Sequence, residues 1–452
     1  MKNHTDVMIS QSRVCVGATN SKSQSQIGNL ARSLRRKCSG MEVTMNKLFK
    51  RDFTMVVIGQ IISLFGNGIL RFALPLYLLR ETDSSSLFGA VTACSFIPLV
   101  VFSLFGGVIA DRKNKRNIMV ALDFTTAAVI LIFSFALGKV SLVPLMIAVL
   151  MILYGISGIY QPAVQASIPL IAEKQFLMQG NAVINMVSTF AGMLGPIIGG
   201  VLFGAFGIMP ILFISISCFV FSAVMEIFIH IPFVKNTDGR SIFGVVSSDL
   251  SDSFKFIKNE KPIFLSLLGI IALFNLISAA MMIVGIPVIV VQILGMSDTA
   301  FGITQGALGL GGLAGGIIAG AATEKIRPKN GYVFLVICSL AEFFMGISVF
   351  EAVPKNIGYI IITVVSFGVM CASTMFSVSM ITAIQQQTPP NLLGKIMAVT
   401  IAVSSCSQPV GQAVYGVLFD VFSDKPYLVM IGAAILAMAV SLYSKKVFAV
   451  LE

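Results

Sequence analysis

Long stretches without charge decide most of what this chain can become. Residues 142–166 contain no Asp, Glu, Lys or Arg, and comparable apolar runs recur along most of the 452 residues. A bilayer core of about 30 Å is crossed by roughly 20 apolar residues in a helix, so each run is a candidate span. Only 11% of the residues are charged and 56% are hydrophobic, whereas a soluble domain carries about 25% charged residues. Such a surface cannot face water on all sides, and lipid must be its main solvent. Transmembrane barrels would show short alternating segments instead. The expected class is an all-α, multi-span membrane protein.

Net charge is +11, which in a soluble protein would suggest nucleic acid. In a membrane protein a basic excess marks cytoplasmic loops, and no nucleic-acid partner is expected. The seven cysteines (Cys15, Cys38, Cys94, Cys218, Cys338, Cys371 and Cys406) are scattered without a C-x-x-C pair. Neither a disulfide framework nor a metal site is expected from them, and His4 and His230 add nothing to a metal case.

Residues 1–44 are polar, Ser-rich and basic, without the apolar core of a secretory signal. They read as a disordered cytoplasmic extension, with an organelle transit peptide as the alternative; a natural start at Met41 or Met45 is also compatible with the sequence. From there the chain reads as twelve helices at 53–79, 86–110, 117–137, 142–166, 182–205, 209–233, 263–292, 300–322, 331–351, 356–386, 394–419 and 425–446. A polar connection at 234–262 separates a first unit, 45–233, from a second, 263–452. Of the 31 Lys and Arg, 26 fall on the side that holds both termini. Arg80, Lys139, Lys355 and Lys425 fall on the other, and Arg71 lies within a span. Both termini are therefore expected in the cytoplasm of a plasma-membrane protein.

The two units echo each other. Gly107-x-x-x-Asp111-Arg112-x-x-x-Arg116-Asn117 returns as Gly320-x-x-x-Glu324-Lys325-x-x-x-Lys329-Asn330, an offset of 213. Gly180 and Gly394 recur at 214, and Pro196 and Pro409 at 213. An even number of helices per repeat makes the repeats parallel, with a site between them near the midplane, as in rocking transporters.

At the loop after the second helix the sequence resembles the major facilitator superfamily, whose signature is matched by Gly107, Asp111, Arg112 and Arg116. Asn114 stands where the family has a second glycine, and Asn117 at a position that is usually basic. Asparagine tolerates left-handed backbone better than most residues, so the turn is expected to survive. Within the superfamily the chain resembles the prokaryotic macrolide and multidrug exporter branch from about Met45 onward. That likeness rests on Gly66-Asn67-x-x-x-Arg71-Phe-Ala-Leu-Pro75, on Gln387-Thr-Pro-Pro390-Asn-Leu-Leu-Gly394-Lys395, and on Gly195-Pro196-Ile-Ile-Gly199-Gly200, which looks like the core of the drug–proton antiporter motif. The resemblance implies two six-helix bundles with helices 1, 4, 7 and 10 lining a cavity.

On that reading Asp111 meets the N-terminus of helix 11 and Glu324 that of helix 5, latching the halves while the cavity opens outward; otherwise the basic loop simply fixes topology. Intramembrane charges cost about 2.5–3.5 kcal/mol on insertion scales and usually face the interior. Arg71, roughly 27 Å along helix 1, is the leading candidate to bind an anionic group or tune a carboxylate, unless it snorkels to the outer interface. Asp123, Glu226 and Glu342 are the candidate proton carriers, although Asp123 is also placed to pair with Arg112 or Arg116. Asn67, Gln161, Asn275, Gln305 and Gln385 are candidate cavity residues, or else partners in interhelical hydrogen bonds. Kinks are expected at Gln161-Pro162 and Gly285-Ile-Pro287.

The expected activity is export of amphiphilic small molecules, driven by a proton gradient and needing no cofactor, by a monomer. A nutrient importer, a lipid flippase and a non-transporting receptor are the alternatives. An enzyme is not expected: the sequence offers no Ser/His/Asp grouping, metal cluster or nucleotide loop.

Overall fold

The computed structural model describes residues 51–171, 177–232, 253, 255–321, 328–389 and 392–450. Twelve long helical segments run through these residues: α1 Arg51–Thr82, α2 Ser85–Arg112, α3 Lys115–Ala136, α4 Leu142–Ile171, α5 Leu177–Phe206 and α6 Ile208–Ile227 come first. After the polar connection follow α7 Ile263–Ile293, α8 Asp298–Ala321, α9 Gly331–Ile347, α10 Lys355–Gln387, α11 Leu393–Val421 and α12 Pro426–Phe448. Ten of them are long and apolar enough to cross a membrane, and no strand occurs among the described residues.

The expected segments coincide with these helices to within a turn or two, and the largest shift has a local cause. α6 ends at Ile227, not near 233, because Pro232 pushes the residue before it out of helical backbone. The freed His230 N–H donates to Asp52 Oδ1 at 3.1 Å, tying the end of α6 to the start of α1. Prolines within helices act unequally. α4 carries Pro162 and Pro169 within one continuous helix. α7 instead opens into wider π-turns at Asn275–Ala279 and Val288–Ile293, the second directly after Pro287, whose nitrogen has no proton to donate.

Apolar side chains lie on both the inside and the outside of this structure. Leu74, Ile130, Met146 and Ile289 are fully enclosed, whereas Ile317, Phe135 and Ile132 remain about two-thirds exposed. An outer surface this apolar is matched to hydrocarbon, not to water.

Helix pairing repeats along the chain. α1 packs on α5 and α6, α2 on α4, and α3 on α6; six helices later α7 packs on α11, α8 on α10, and α9 on α12. The contacts that join the two sets are α2 with α11 and α5 with α8, and each becomes the other under the same six-helix shift.

Candidate functional site

The two joining contacts depend on glycine. At the first, a β-carbon on Gly89 would come within 2.6 Å of the Gln412 carbonyl oxygen, and Gly416 faces the Gly89 Cα. At the second, a β-carbon on Gly302 would come within 2.7 Å of the Pro196 carbonyl oxygen, and Gly200 faces Gly302. Gly89 and Gly302 stand 213 positions apart, the offset of the repeat. Sequence reasoning passed over Gly89, Gly302 and Gly416; the offset was the signal that finds Gly89 and Gly302, whereas Gly416 has no glycine at that spacing. Among the flagged helix 5 residues, Gly195 lies against Gly68 of α1, Gly199 against Phe72, and Pro196 supplies the carbonyl facing Gly302.

Polar contacts at the same end of the molecule join the halves. Arg80 forms an ion pair with Asp298 at 2.8 Å, and Gln292 donates to Asp83 at 3.0 Å. Asp420, in the last turn of α11, accepts from the backbone N–H groups of Ser85 and Ser86 at 2.9 Å and from the hydroxyls of Ser84 and Ser86. A carboxylate on the first N–H groups of α2 also matches the positive end of the helix dipole. Burial works to raise the Asp420 carboxyl, but the bonds from Ser86, Ser84 and Ser85 outweigh it and hold it below the ordinary value of 3.8.

Away from this closed end the halves separate around a cavity with two lobes. One, of about 630 Å³, is lined by α7, α8, α10 and α11; the other, of about 490 Å³, by α1, α2, α4 and α5. Gly192 and Ile401 border both, so the lobes adjoin. Asn275 and Gln305 line the larger lobe, and Asn67, Arg71 and Gln161 the smaller. Gln385 lies elsewhere: it is exposed, a turn beyond Ile381 on α10, and borders neither lobe. Asn275 opens the first π-turn of α7, and its side-chain amide donates to the Ile271 carbonyl at 2.9 Å. The wider turn therefore sits in the cavity wall.

Arg71 does not snorkel. Its Nη2 donates to Ser157 Oγ at 2.9 Å, its guanidinium carbon lies 4.0 Å from the centre of the Tyr154 ring, and its Nε is buried without a partner. Tyr154 and Ser157 sit three residues apart on α4, hence on one face. The next turn of that face brings Tyr160, whose hydroxyl donates to Glu226 Oε1 at 2.8 Å and accepts from Gln60 Nε2 at 2.7 Å.

Asp123 adjoins this chain. It is 2% exposed, accepts from Ser63 at 3.2 Å, and keeps Oδ2 without a partner. The expected pairing with Arg116 does not occur, because that guanidinium donates to Asn117 instead; the Arg112 side chain lies outside the described residues. A small cavity of about 20 Å³, room for about one water, is lined by Asp123, Tyr160 and Ser63 and also by Asn67, Ser157 and Gln161 of the neighbouring lobe. The residues missed in the sequence here, Gln60, Ser63, Tyr154, Ser157 and Tyr160, are uncharged. Their regular spacing along α4 and α1 was the available signal. Glu342 is fully buried on α9, facing the Ser278 side of α7, and neither of its oxygens has a hydrogen-bond partner.

The loop motif is reached only in part. The side chains of Gly107, Asp111 and Arg112, and Glu324 and Lys325 altogether, lie outside the described residues, as does the 1–44 extension. Gly320 closes the described part of α8 one residue before its end. Asn114 has φ −63° and caps α3, its side chain accepting from the Arg116 N–H. The turn needs no left-handed residue: asparagine serves as a helix cap where the family places glycine. No group of three or more His, Cys, Asp or Glu able to hold a metal occurs among the described residues.

Known proteins share this architecture. The nucleoside transporter NupG superposes with a TM-score of 0.70 at 13% identity, covering 88% of this chain and 99% of that one. A bacterial homolog of the human lysosomal transporter Spinster, in an inward-facing and unoccupied conformation, gives 0.68 at 12% identity, over 88% and 97%. Macrolide efflux protein A of Streptococcus pyogenes is 22% identical over 401 residues, covering 87% of this chain and 95% of that protein. The staphyloferrin A transporter of Staphylococcus aureus is 21% identical over 79% of this chain and 87% of that protein. The enterobactin exporter of Salmonella typhimurium is 22% identical over 80% and 84%. A family profile described as the Major Facilitator Superfamily matches residues 56–411. This chain is a membrane transporter and belongs to the major facilitator superfamily.

Proposed function

We propose that the protein is a proton-coupled exporter of amphiphilic small molecules that works by alternating access. The observation that carries this reading is the two-lobed cavity between helix sets that, among the described residues, are clasped at the Arg80–Asp298 end. On this reading twelve spans form two six-helix bundles, 45–233 and 263–452, joined by a cytoplasmic linker at 234–262. Both termini are cytoplasmic and the closed Arg80–Asp298 end faces outward, so the cavity is open toward the cytoplasm. A monomer suffices, since both halves of the site belong to one chain. The larger lobe is rich in Met, Phe and Ser, a lining that suits an apolar body carrying a few polar groups. The names of the efflux and exporter relatives favour outward movement.

Coupling falls to the neighbouring buried acids Asp123, which accepts from Ser63, and Glu226, which accepts from Tyr160, with no cation in those hydrogen bonds. Two like charges so placed in a medium of low dielectric repel strongly. Gain or loss of one proton therefore changes the stability of this packing, and with it the balance between inward- and outward-open states. The latch at Asp111 and Glu324 completes the cycle in the outward-open state. Everted vesicles with an imposed inward-acid gradient test the scheme against a panel of hydrophobic dyes. Uptake that collapses with a protonophore is expected; uptake indifferent to the protonophore, or absent for every dye, would sink it.

A further inference from the structure

We infer that the substrate carries an anionic head group, held by Arg71, on an apolar body that extends into the larger lobe. This inference rests on the proposed transport role of the cavity and adds the sign of its cargo.

Among the described residues lining the two lobes, Arg71 is the one charged side chain; no Asp or Glu lines either. A guanidinium has five donors in a planar fork. Ser157 takes one of them, and Tyr154 covers one face of the plane at 4.0 Å. Arg71 forms no ion pair with any described carboxylate. Asp123, which lines the small cavity beside Ser157 and Tyr160, bonds to Ser63 and forms no ion pair with Arg71. The fork is thus oriented by two α4 side chains and left with donors for a carboxylate, sulfonate or phosphate, which it grips in bidentate fashion.

From Arg71 the wall passes through Gly192 and Ile401 into a lobe lined by Phe274, Met282, Met370, Phe376, Met380 and Met397. Thioethers and aromatic rings accept a bulky apolar body of varied shape. A cationic amphiphile of the same size would bring its charge toward Arg71 with no carboxylate on the lobe surface to receive it. Selection by repulsion then works in the same direction as selection by attraction.

A matched pair of probes decides the matter. The full-length protein in phosphatidylcholine nanodiscs is titrated with 4-octylbenzoate and with 4-octylbenzylamine at pH 7, and each Kd is read by tryptophan-free methods such as calorimetry. The benzoate should bind at least ten-fold more tightly. Arg71→Gln should abolish that preference, weakening the benzoate and tightening the amine as the repulsion is removed, and Arg71→Lys should retain part of it. Equal binding of the two probes, a preference for the amine, or an intact preference in Arg71→Gln overturns the inference. Ser157→Ala, which keeps the charge but removes its hydroxyl partner, should weaken the benzoate several-fold and not the amine, so a fold defect in Arg71→Gln does not shield the idea. Transport is measured separately. If the benzoate binds by Arg71 but is never moved, the exporter reading fails and the anion site stands; if both probes are moved equally well, the reverse holds.

Discussion

Where α2 crosses α11, Gly89 lies against Gly416 and Asp420 gathers the hydrogen bonds of three consecutive serines. Where α8 crosses α5, Gly302 lies against Gly200 in the same manner, but the carboxylate is Asp298, which turns to Arg80 of α1. The backbone approach is common to both crossings and the polar clasp is not. Close approach of two helices has few solutions, and both copies of the repeat keep glycine there. The clasp needs only some hydrogen-bonded closure at the helix ends, which several side-chain sets satisfy. The cavity walls diverge further: one holds Arg71 with a buried acid chain behind it, the other Met, Phe and Ser. On the proposed alternating-access reading, the shared geometry serves the motion of the halves and the unshared chemistry serves cargo and coupling.

The comparison breaks most readily at the crossings. Gly89→Val and Gly302→Val each drive a side chain into a backbone carbonyl, and each is expected to cost about 1–3 kcal/mol as overpacking. Equal losses of thermal stability and of transport in the two variants would establish the crossings as equivalent. Gly316→Val on α8, where an added β-carbon meets nothing within 4 Å, should stay within about 0.5 kcal/mol. A second contrast concerns the buried acids. Glu226→Ala strips the Tyr160 hydroxyl of its acceptor and should lower stability by roughly 1–3 kcal/mol. Glu342→Met removes a carboxyl that has no hydrogen-bond partner and should be neutral or stabilising; thermal unfolding in detergent reads both, and equal losses would erase the distinction.

The smallest effects belong to the clasps. Arg80→Gln removes a partly exposed ion pair and should shift the closed state by about 0.2–1 kcal/mol, less at high salt. The Asp420 clasp should ignore salt and respond to acid instead. Its carboxyl lies below the ordinary 3.8 when folded, so its contribution is complete above that pH and is lost as the pH falls through the lower, folded value. Protection of the Ser85 and Ser86 amides against hydrogen exchange, relative to intrinsic rates, should fall only below about pH 4; a fall between pH 5 and 8 would show that Asp420 is not the group involved.

Helix positions were legible because a span must be apolar for its full length, and charge returns abruptly at its ends. The repeat was legible at Gly107–Arg116 and Gly320–Lys329 because loops carry their charges in a fixed order. Arg71, Asn67 and Gln161 were found because a polar side chain inside an apolar run is conspicuous. Tyr154, Ser157 and Tyr160 were not, since a hydroxyl or an aromatic ring within a span is ordinary until its neighbour is known. Asp123 shows the same limit: proximity in sequence favoured Arg116, while helix packing offered Ser63.

Transfer free energy and local order along one chain were enough to read the apolar solvent, the helices, the echo at 213 residues and the family resemblance. Helix packing alone decided which glycines meet, where Arg71 points, and that Asp123 lies buried beside the Tyr160–Glu226 pair. Those facts depend on side chains brought together from helices 60 to more than 300 residues apart, and no local rule of propensity or charge encodes such meetings.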